Sequence, residues 1–177
     1  LPQSPLVPEG VTVADLVGRG RHPWQGWMAG PEKDDFRAID EAMALMGVAE
    51  LADRPVDELS GGQRQRVWIA MALAQETDIL LLDEPTTFLD LSFQVEILDC
   101  LVELKKRRAC TIVMVLHDIN LSARYADFLI AMARGSVIAR GRPDDIITEG
   151  LIEAVFGMGS IIQTDPVSRT PLVIPMG

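Results

Sequence analysis

The sequence predicts an α/β fold with parallel strands and flanking helices, a small helical unit ahead of it and a C-terminal β hairpin and tail. Three observations carry this reading. Apolar runs of strand length, ILLL (79–82), TIVMVL (111–116) and FLIAMA (128–133), recur after residue 59. Segments of helical period separate them, and strand–helix–strand alternation favours parallel pairing through right-handed crossovers. Residues 1–58, by contrast, are rich in Pro and Gly and carry helix-period apolar spacing.

Taken in order, TVAD (Thr12 to Asp15) has capping-box spacing and predicts a brief helix through VADLVGRG, followed by an irregular loop, RHPWQGWMAGP. From Asp34, Phe36, Ile39, Met43 and Met46 recur at spacings of three and four and predict an amphipathic helix. Residues 1–58 thus form one expected unit and 59–177 the other. In the second, ILLLDE reads as a buried strand, and LSFQVEILDCLVELKKRR as a helix with Leu91, Val95, Leu98 and Val102 inward. The cations closing that helix complement its dipole. TIVMVL is a second buried strand, INLSARYAD a helix and FLIAMA a third strand. ARGSVIARG predicts a hairpin turning near Arg134-Gly135, followed by two short helices (144–156) and a strand–turn–strand tail (159–175).

Composition narrows the possible functions. The 177 residues suit one large domain, or a domain with a small appendage. A net charge of −10 argues against a nucleic-acid partner, which would require a basic stripe. Two cysteines, Cys100 and Cys110, make no disulfide framework, fit a reducing cytoplasm and are expected to be buried structural thiols. No apolar run approaches the roughly 20 residues of a membrane-spanning helix. The N-terminus LPQSPLVPEG lacks the basic start and apolar core of a signal peptide, and its first residue is not Met, so the chain is expected to belong to something longer.

The residues that carry chemistry come after residue 58. In LSGGQ (59–63), Ser60 and Gln63 form a second capping box, so a helix should begin there. Gly61 and Gly62 would leave its first backbone N–H groups open to an anion at the positive end of the dipole. Asp83 and Glu84 end an apolar strand at its carboxyl edge, where open α/β sheets place ligands. An aspartate there can hold Mg²⁺ between phosphates, and the neighbouring glutamate can polarise a water. His117 ends the next strand, within expected reach of Glu84, and could hydrogen-bond a γ-phosphate or orient that water.

LSGGQ (59–63), ILLLDEP (79–85), TTFLD (86–90) and VLHD (115–118) resemble, in order and spacing, the signature motif, Walker B motif, D-loop and H-loop of ABC-transporter ATPases. The resemblance implies a partial P-loop NTPase core that works with ATP and Mg²⁺. LPQ resembles the Q-loop, which implies that Gln3 senses magnesium and nucleotide and contacts the transmembrane permease subunits. It further implies that Ser60, Gly61, Gly62 and Gln63 act on ATP held by a second ATPase subunit of a homodimer. Asp83 would serve the chain's own Mg²⁺, Glu84 its own water and Asp90 the contact across the dimer. PEGVTVADLVGRGRHPWQGW, DEPTTFLDLSFQVEILDCL and DPVSRTPLVIPMG are similar to importer ATPases for ferric siderophores and, beyond them, for haem and cobalamin. Such subunits sit in the cytoplasm on the inner face of the membrane and serve a substrate-binding protein indirectly.

One part of the family pattern is not in these residues. A P-loop reads Gly-x-x-x-x-Gly-Lys-Ser/Thr, and Lys33, Lys105 and Lys106 all stand in other contexts. The resemblance places it upstream of Leu1, so this chain alone is expected to be catalytically inactive and either to self-associate through strands left without neighbours or to rearrange the strands nearest that edge. Two other readings compete: a binding fragment that docks a partner, and a non-transport ABC ATPase of DNA maintenance. The second would carry long coiled coils where residues 4–58 stand without heptads.

Overall fold

The computed structural model describes residues 10–24, 32–87, 89–108 and 110–176. Gln3 and the end of the RHPWQGWMAGP loop lie outside the described residues. The chain divides into two compact units, Leu1–Val115 and Leu116–Gly177.

The first unit opens with α1 (Val13–Gly18), capped as its sequence predicts. Thr12 Oγ1 accepts from the Asp15 N–H at 3.2 Å, and an Asp15 carboxylate oxygen accepts from the Thr12 N–H at 3.3 Å. Its buried face, Val13, Leu16 and Val17, packs on α2 (Lys33–Leu45) and α3 (Gly61–Leu73). In α2 Met43 and Met46 lie inward as expected and Ile39 is half-buried, but Phe36 does not join them. Asp35, Ala38, Ala42 and Met43 are buried, Met46 follows them, and Phe36 is 56% exposed. The reason is electrostatic rather than hydrophobic. Asp35 turns inward to meet the buried Arg21 at 2.7 Å, with its second oxygen accepting from the Glu32 N–H at 3.0 Å. Arg21 also donates to the Ala74 carbonyl at 2.8 Å and to Glu76 at 3.0 Å. Trp24 lies beside the guanidinium, 5.6 Å from ring centroid to Cζ, and donates its indole N–H to the Gln75 carbonyl at 2.7 Å. One arginine thereby joins the start of α2 to the chain leaving α3.

The rest of this unit is a strand–helix–strand segment. β1 (Ile79–Leu82) and β2 (Thr111–Met114) pair in parallel, with Ile79 opposite Thr111 and Leu81 opposite Val113, and α4 (Leu91–Arg108) connects them. The apolar runs that predicted buried strands are buried on one face. Leu80 and Leu82 face inward, whereas Ile79, Leu81, Val113 and Val115 are exposed. Parallel strands read as continuous apolar runs when both faces are covered; among the described residues the pleat leaves alternate side chains exposed. The inward stripe of α4 differs likewise. Ile97, Leu98, Leu101 and Leu104 are buried, Val95 and Val102 are half-buried, and Leu91 is exposed. The basic end of α4 is paired as well as dipole-complementing: Arg107 and Lys106 meet Glu103, and Arg108 meets Glu41. Cys100 and Cys110 are half-buried rather than buried, and burial pushes the Cys100 thiol upward.

The second unit runs α5 (Ile119–Tyr125), β3 (Leu129–Ala133), β4 (Ser136–Gly141), α6 (Pro143–Ile146), α7 (Glu149–Phe156), β5 (Ser160–Thr164) and β6 (Pro171–Pro175). The hairpin of β3 and β4 turns at Arg134 and Gly135, both with positive φ (50° and 74°), as a two-residue hairpin loop requires. β3 thus pairs antiparallel with β4, and Ile130 and Met132 on it are exposed. A core of Ala123, Ile147, Ile152 and Val173 lies between α5, α7 and the antiparallel β5–β6 pair.

Asp165 closes the β5–β6 turn. The backbone N–H groups of Ser168 (3.0 Å) and Val167 (2.7 Å) donate to its Oδ1 and hold the carboxyl below the usual carboxylate range. A depressed folded value means that the contribution is complete above the unfolded pKa of about 4 and is lost as pH falls through the folded one. Acidification below about pH 4 is therefore expected to loosen this turn. Amide exchange at Val167 and Ser168 should rise on acidification in the parent chain and be nearly pH-independent, after correction for intrinsic rates, in Asp165→Asn. Equal acid sensitivity in both proteins would reject the assignment.

Candidate functional site

Ser60 caps α3 in the way its spacing predicts. Its Oγ accepts from the Gln63 N–H at 3.3 Å, and Gln63 Oε1 accepts from the Ser60 N–H at 3.1 Å. Leu59 is buried and anchors the entry, while Arg64 donates to the carbonyls of Leu59 and Asp57, both at 3.3 Å. The two glycines have different reasons to be glycine. A Cβ on Gly61 would meet open space, so its backbone is approachable from outside. A Cβ on Gly62 would stand 3.2 Å from the ring of Phe93 on α4, a close approach that a side chain would obstruct. Arg66 on α3 and Glu96 on α4 pair alongside. The capped N-terminus is thereby held against the first turns of the helix that follows Asp90.

Asp83 and Glu84 leave the carboxyl end of β1. Asp83 is exposed, and Glu84 is half-buried with φ +48°. That conformation costs roughly 1–3 kcal/mol in a residue with a Cβ and requires support from its surroundings. The support is a turn: the Thr87 N–H donates to the Glu84 carbonyl at 3.3 Å, and Pro85 and Thr86 between them are buried. Thr87 Oγ1 also donates to Glu84 Oε2 at 2.9 Å. Asp90 is exposed at the start of α4, its carbonyl accepting from the Gln94 N–H at 3.0 Å, and Gln94 Nε2 donates to the Leu89 carbonyl at 2.9 Å.

His117 belongs to the second unit and is exposed just ahead of α5. The next residue, Asp118, caps that helix by accepting from the Asn120 and Leu121 N–H groups, both at 2.8 Å. Asn120 then grips β6 from both sides: Nδ2 donates to the Val173 carbonyl at 3.1 Å, and Oδ1 accepts from the Val173 N–H at 2.7 Å. Ser60 to Gln63, Asp83, Glu84 and Asp90 thus share the first unit.

Sequence reasoning passed over Thr87, Phe93 and Asn120. Thr87 had a legible signal, a hydroxyl three residues after a carboxylate across a proline turn. Phe93 and Asn120 had none, because their partners stand far away in the chain.

The chemistry of these groups suits a magnesium-bound polyphosphate. Among the described residues no three His, Cys, Asp or Glu side chains cluster as a protein-only metal cage. Magnesium does not require one, since it is commonly held by one or two carboxylates with phosphate oxygens and waters. Asp83 is an exposed carboxylate of the kind such a site would use, and the backbone at Gly61, the first residue of a helix of 13 residues, is open to approach. An acidic strand end, a capped glycine-rich helix N-terminus and a parallel α/β crossover stand together in the first unit, a combination of elements that the nucleotide-binding class of α/β proteins uses.

Comparison with known proteins makes the family explicit. A family model described as ABC transporter matches residues 1–87. The chain is 53% identical over its whole length to the "Probable siderophore transport system ATP-binding protein YusV" of Bacillus subtilis (strain 168), of which it spans 64%. It is 50% identical over its whole length to the ferric enterobactin transport ATP-binding protein FepC of Escherichia coli (strain K12), of which it spans 65%. Among solved structures, an ABC transporter in an inward-facing conformation matches with a TM-score of 0.91 at 30% identity, covering 99% of this chain and 71% of that one. The chain belongs to the ABC transporter family. It spans less than two thirds of the length of these two curated relatives.

Proposed function

We propose that this chain is part of the ATP-binding and ATP-hydrolysing subunit of an ABC importer for iron(III)-siderophore complexes. The observation that carries the cargo is the identity of 53%, 51% and 50%, each over all 177 residues, to relatives named for siderophore, achromobactin and ferric enterobactin transport. In this reading bound Mg-ATP supplies the hydrolysable phosphoanhydride, and the chain's own groups bind and orient around it. Asp83 holds the metal, Glu84 orients the attacking water, and His117 hydrogen-bonds the γ-phosphate. Gln3 reports on the occupied site to the permease subunits. Ser60, Gly61, Gly62 and Gln63 act on the phosphates held by a second ATPase subunit, and Asp90 completes the contact across that dimer. No helix among the described residues is long and apolar enough to cross a membrane. In the proposed assembly the subunit rests on the cytoplasmic side of the permease, which receives its cargo from a substrate-binding protein.

The test uses the native-length protein with its permease subunits in liposomes. Mg-dependent ATP hydrolysis is expected, coupled to uptake of radioactive iron bound to a siderophore. Glu84→Gln should lower turnover by about 10²–10⁴-fold, the range for loss of a general base. Hydrolysis coupled to haem or cobalamin uptake would reject the cargo, and hydrolysis insensitive to Glu84→Gln would reject its role. In the 177-residue chain no lysine follows a phosphate-cradling glycine loop, so calorimetry with Mg-ATP is expected to show no micromolar binding.

A further inference from the structure

Glu84 orients the attacking water in the proposed function, and a role for its neighbour Thr87 rests on that reading. A glutamate is poorly suited to such a task by itself. Its side chain turns about three torsions, and fixing it costs rotamer entropy. A group that handles a water proton has to stand within about 2.6–3.2 Å of it, and a displacement of ~1 Å can cost about a hundredfold in rate. Something has to hold the carboxylate still.

We propose that Thr87 is the positioning residue for Glu84, its hydroxyl holding the carboxylate in the orientation that meets the water. The two residues are tied at both ends of the side chain. The Thr87 N–H donates to the Glu84 carbonyl at 3.3 Å, and Thr87 Oγ1 donates to Oε2 at 2.9 Å. The first bond sets where the side chain departs from the backbone, together with the unusual φ of +48°. The second sets where the carboxylate ends. The turn between is anchored, because Pro85 is buried and Thr86 is 8% exposed, so motion of Thr87 is restrained from below. With Oε2 engaged, the direction of Oε1 is set by the same geometry. The hydroxyl donates one hydrogen bond to the carboxylate and, unlike an ammonium, adds no charge.

A purely structural part for Thr87 predicts something different, namely a turn that melts earlier with unchanged chemistry. The test therefore separates turnover from binding and from stability in the native-length protein. Thr87→Val keeps the branched shape and removes the hydroxyl; Thr87→Ser keeps the hydroxyl and removes the methyl; Thr87→Ala repeats the deletion without the second methyl group in the turn. Thr87→Val and Thr87→Ala are expected to lower kcat by roughly ten- to a hundredfold with KM for ATP nearly unchanged, and Thr87→Ser to restore most of it. An unchanged kcat in Thr87→Val, beside a Glu84→Gln variant that has lost turnover, overturns the positioning role and leaves the reading of Glu84 intact. Equal losses in the serine and valine variants overturn it too, since retaining the hydroxyl would then protect nothing and any change at the position would lower turnover alike. If Glu84→Gln itself retains turnover, the reading of Glu84 fails and the inference falls with it.

Discussion

Arg21→Ala is expected to cost the first unit about 3–5 kcal/mol, enough to unfold its helical part under mild denaturant. Arg21 is 6% exposed and partners Asp35, which is 5% exposed, at 2.7 Å. Removing the cation leaves a buried carboxylate facing a cavity. It also strips a donor from the Ala74 carbonyl and from Glu76, so the chain leaving α3 is left with the exposed Arg37–Glu76 pair at 3.4 Å in place of the buried link through Arg21. Exposed pairs in the same unit, such as Arg37 with Glu41, do not compare, because water screens them. Urea unfolding followed by circular dichroism measures the loss directly. A change below about 1 kcal/mol would show that water reaches Asp35 and that the pair is not held as a buried one. Gly20 beside it is constrained in another way, since a Cβ there would lie 2.1 Å from the Met71 carbonyl oxygen.

The corresponding change in the second unit is Ile152→Ala. Ile152 is 0% exposed and packs in the cluster of Ala123, Ile147 and Val173, against which Leu129, Met158 and Ile162 lean. Three carbons are lost and a cavity remains, an effect of about 2–5 kcal/mol in well-packed cores. Hydrogen exchange should report faster opening at β5 and β6, whose Val173 is part of that cluster and is gripped by Asn120. Protection at β5 and β6 equal to that of the parent would mean that the hairpin is stabilised independently of this core.

Much of the candidate site was legible because it is local. The capping boxes at Thr12 and Ser60 depend on residues three apart and formed as their spacing required. The turn at Arg134-Gly135 depends on two backbone conformations. The bond from Thr87 to Glu84 is equally local. Phe93 against Gly62 is not, and neither is Asn120 against Val173, 53 residues away. No periodicity announces which aromatic ring will close over a glycine.

The sequence by itself determined the kinds of element, their order, their caps and the family, because these depend on short-range sterics, hydrogen bonding and motif spacing. The tertiary structure decided which face of each element turns inward. In α2, Phe36 lost its place to Asp35 because a buried arginine required a carboxylate. In α4, Leu98 is buried as its spacing predicts, but Ile97, Leu101 and Leu104 complete the inward stripe, with Leu91 left in solvent. In β1 and β2, Leu81 and Val113 are as apolar as Leu80 and Leu82 yet stand exposed. Hydrophobicity states what a side chain gains by burial. Whether it is buried depends on whether another layer lies over it, and that is a property of the packed chain.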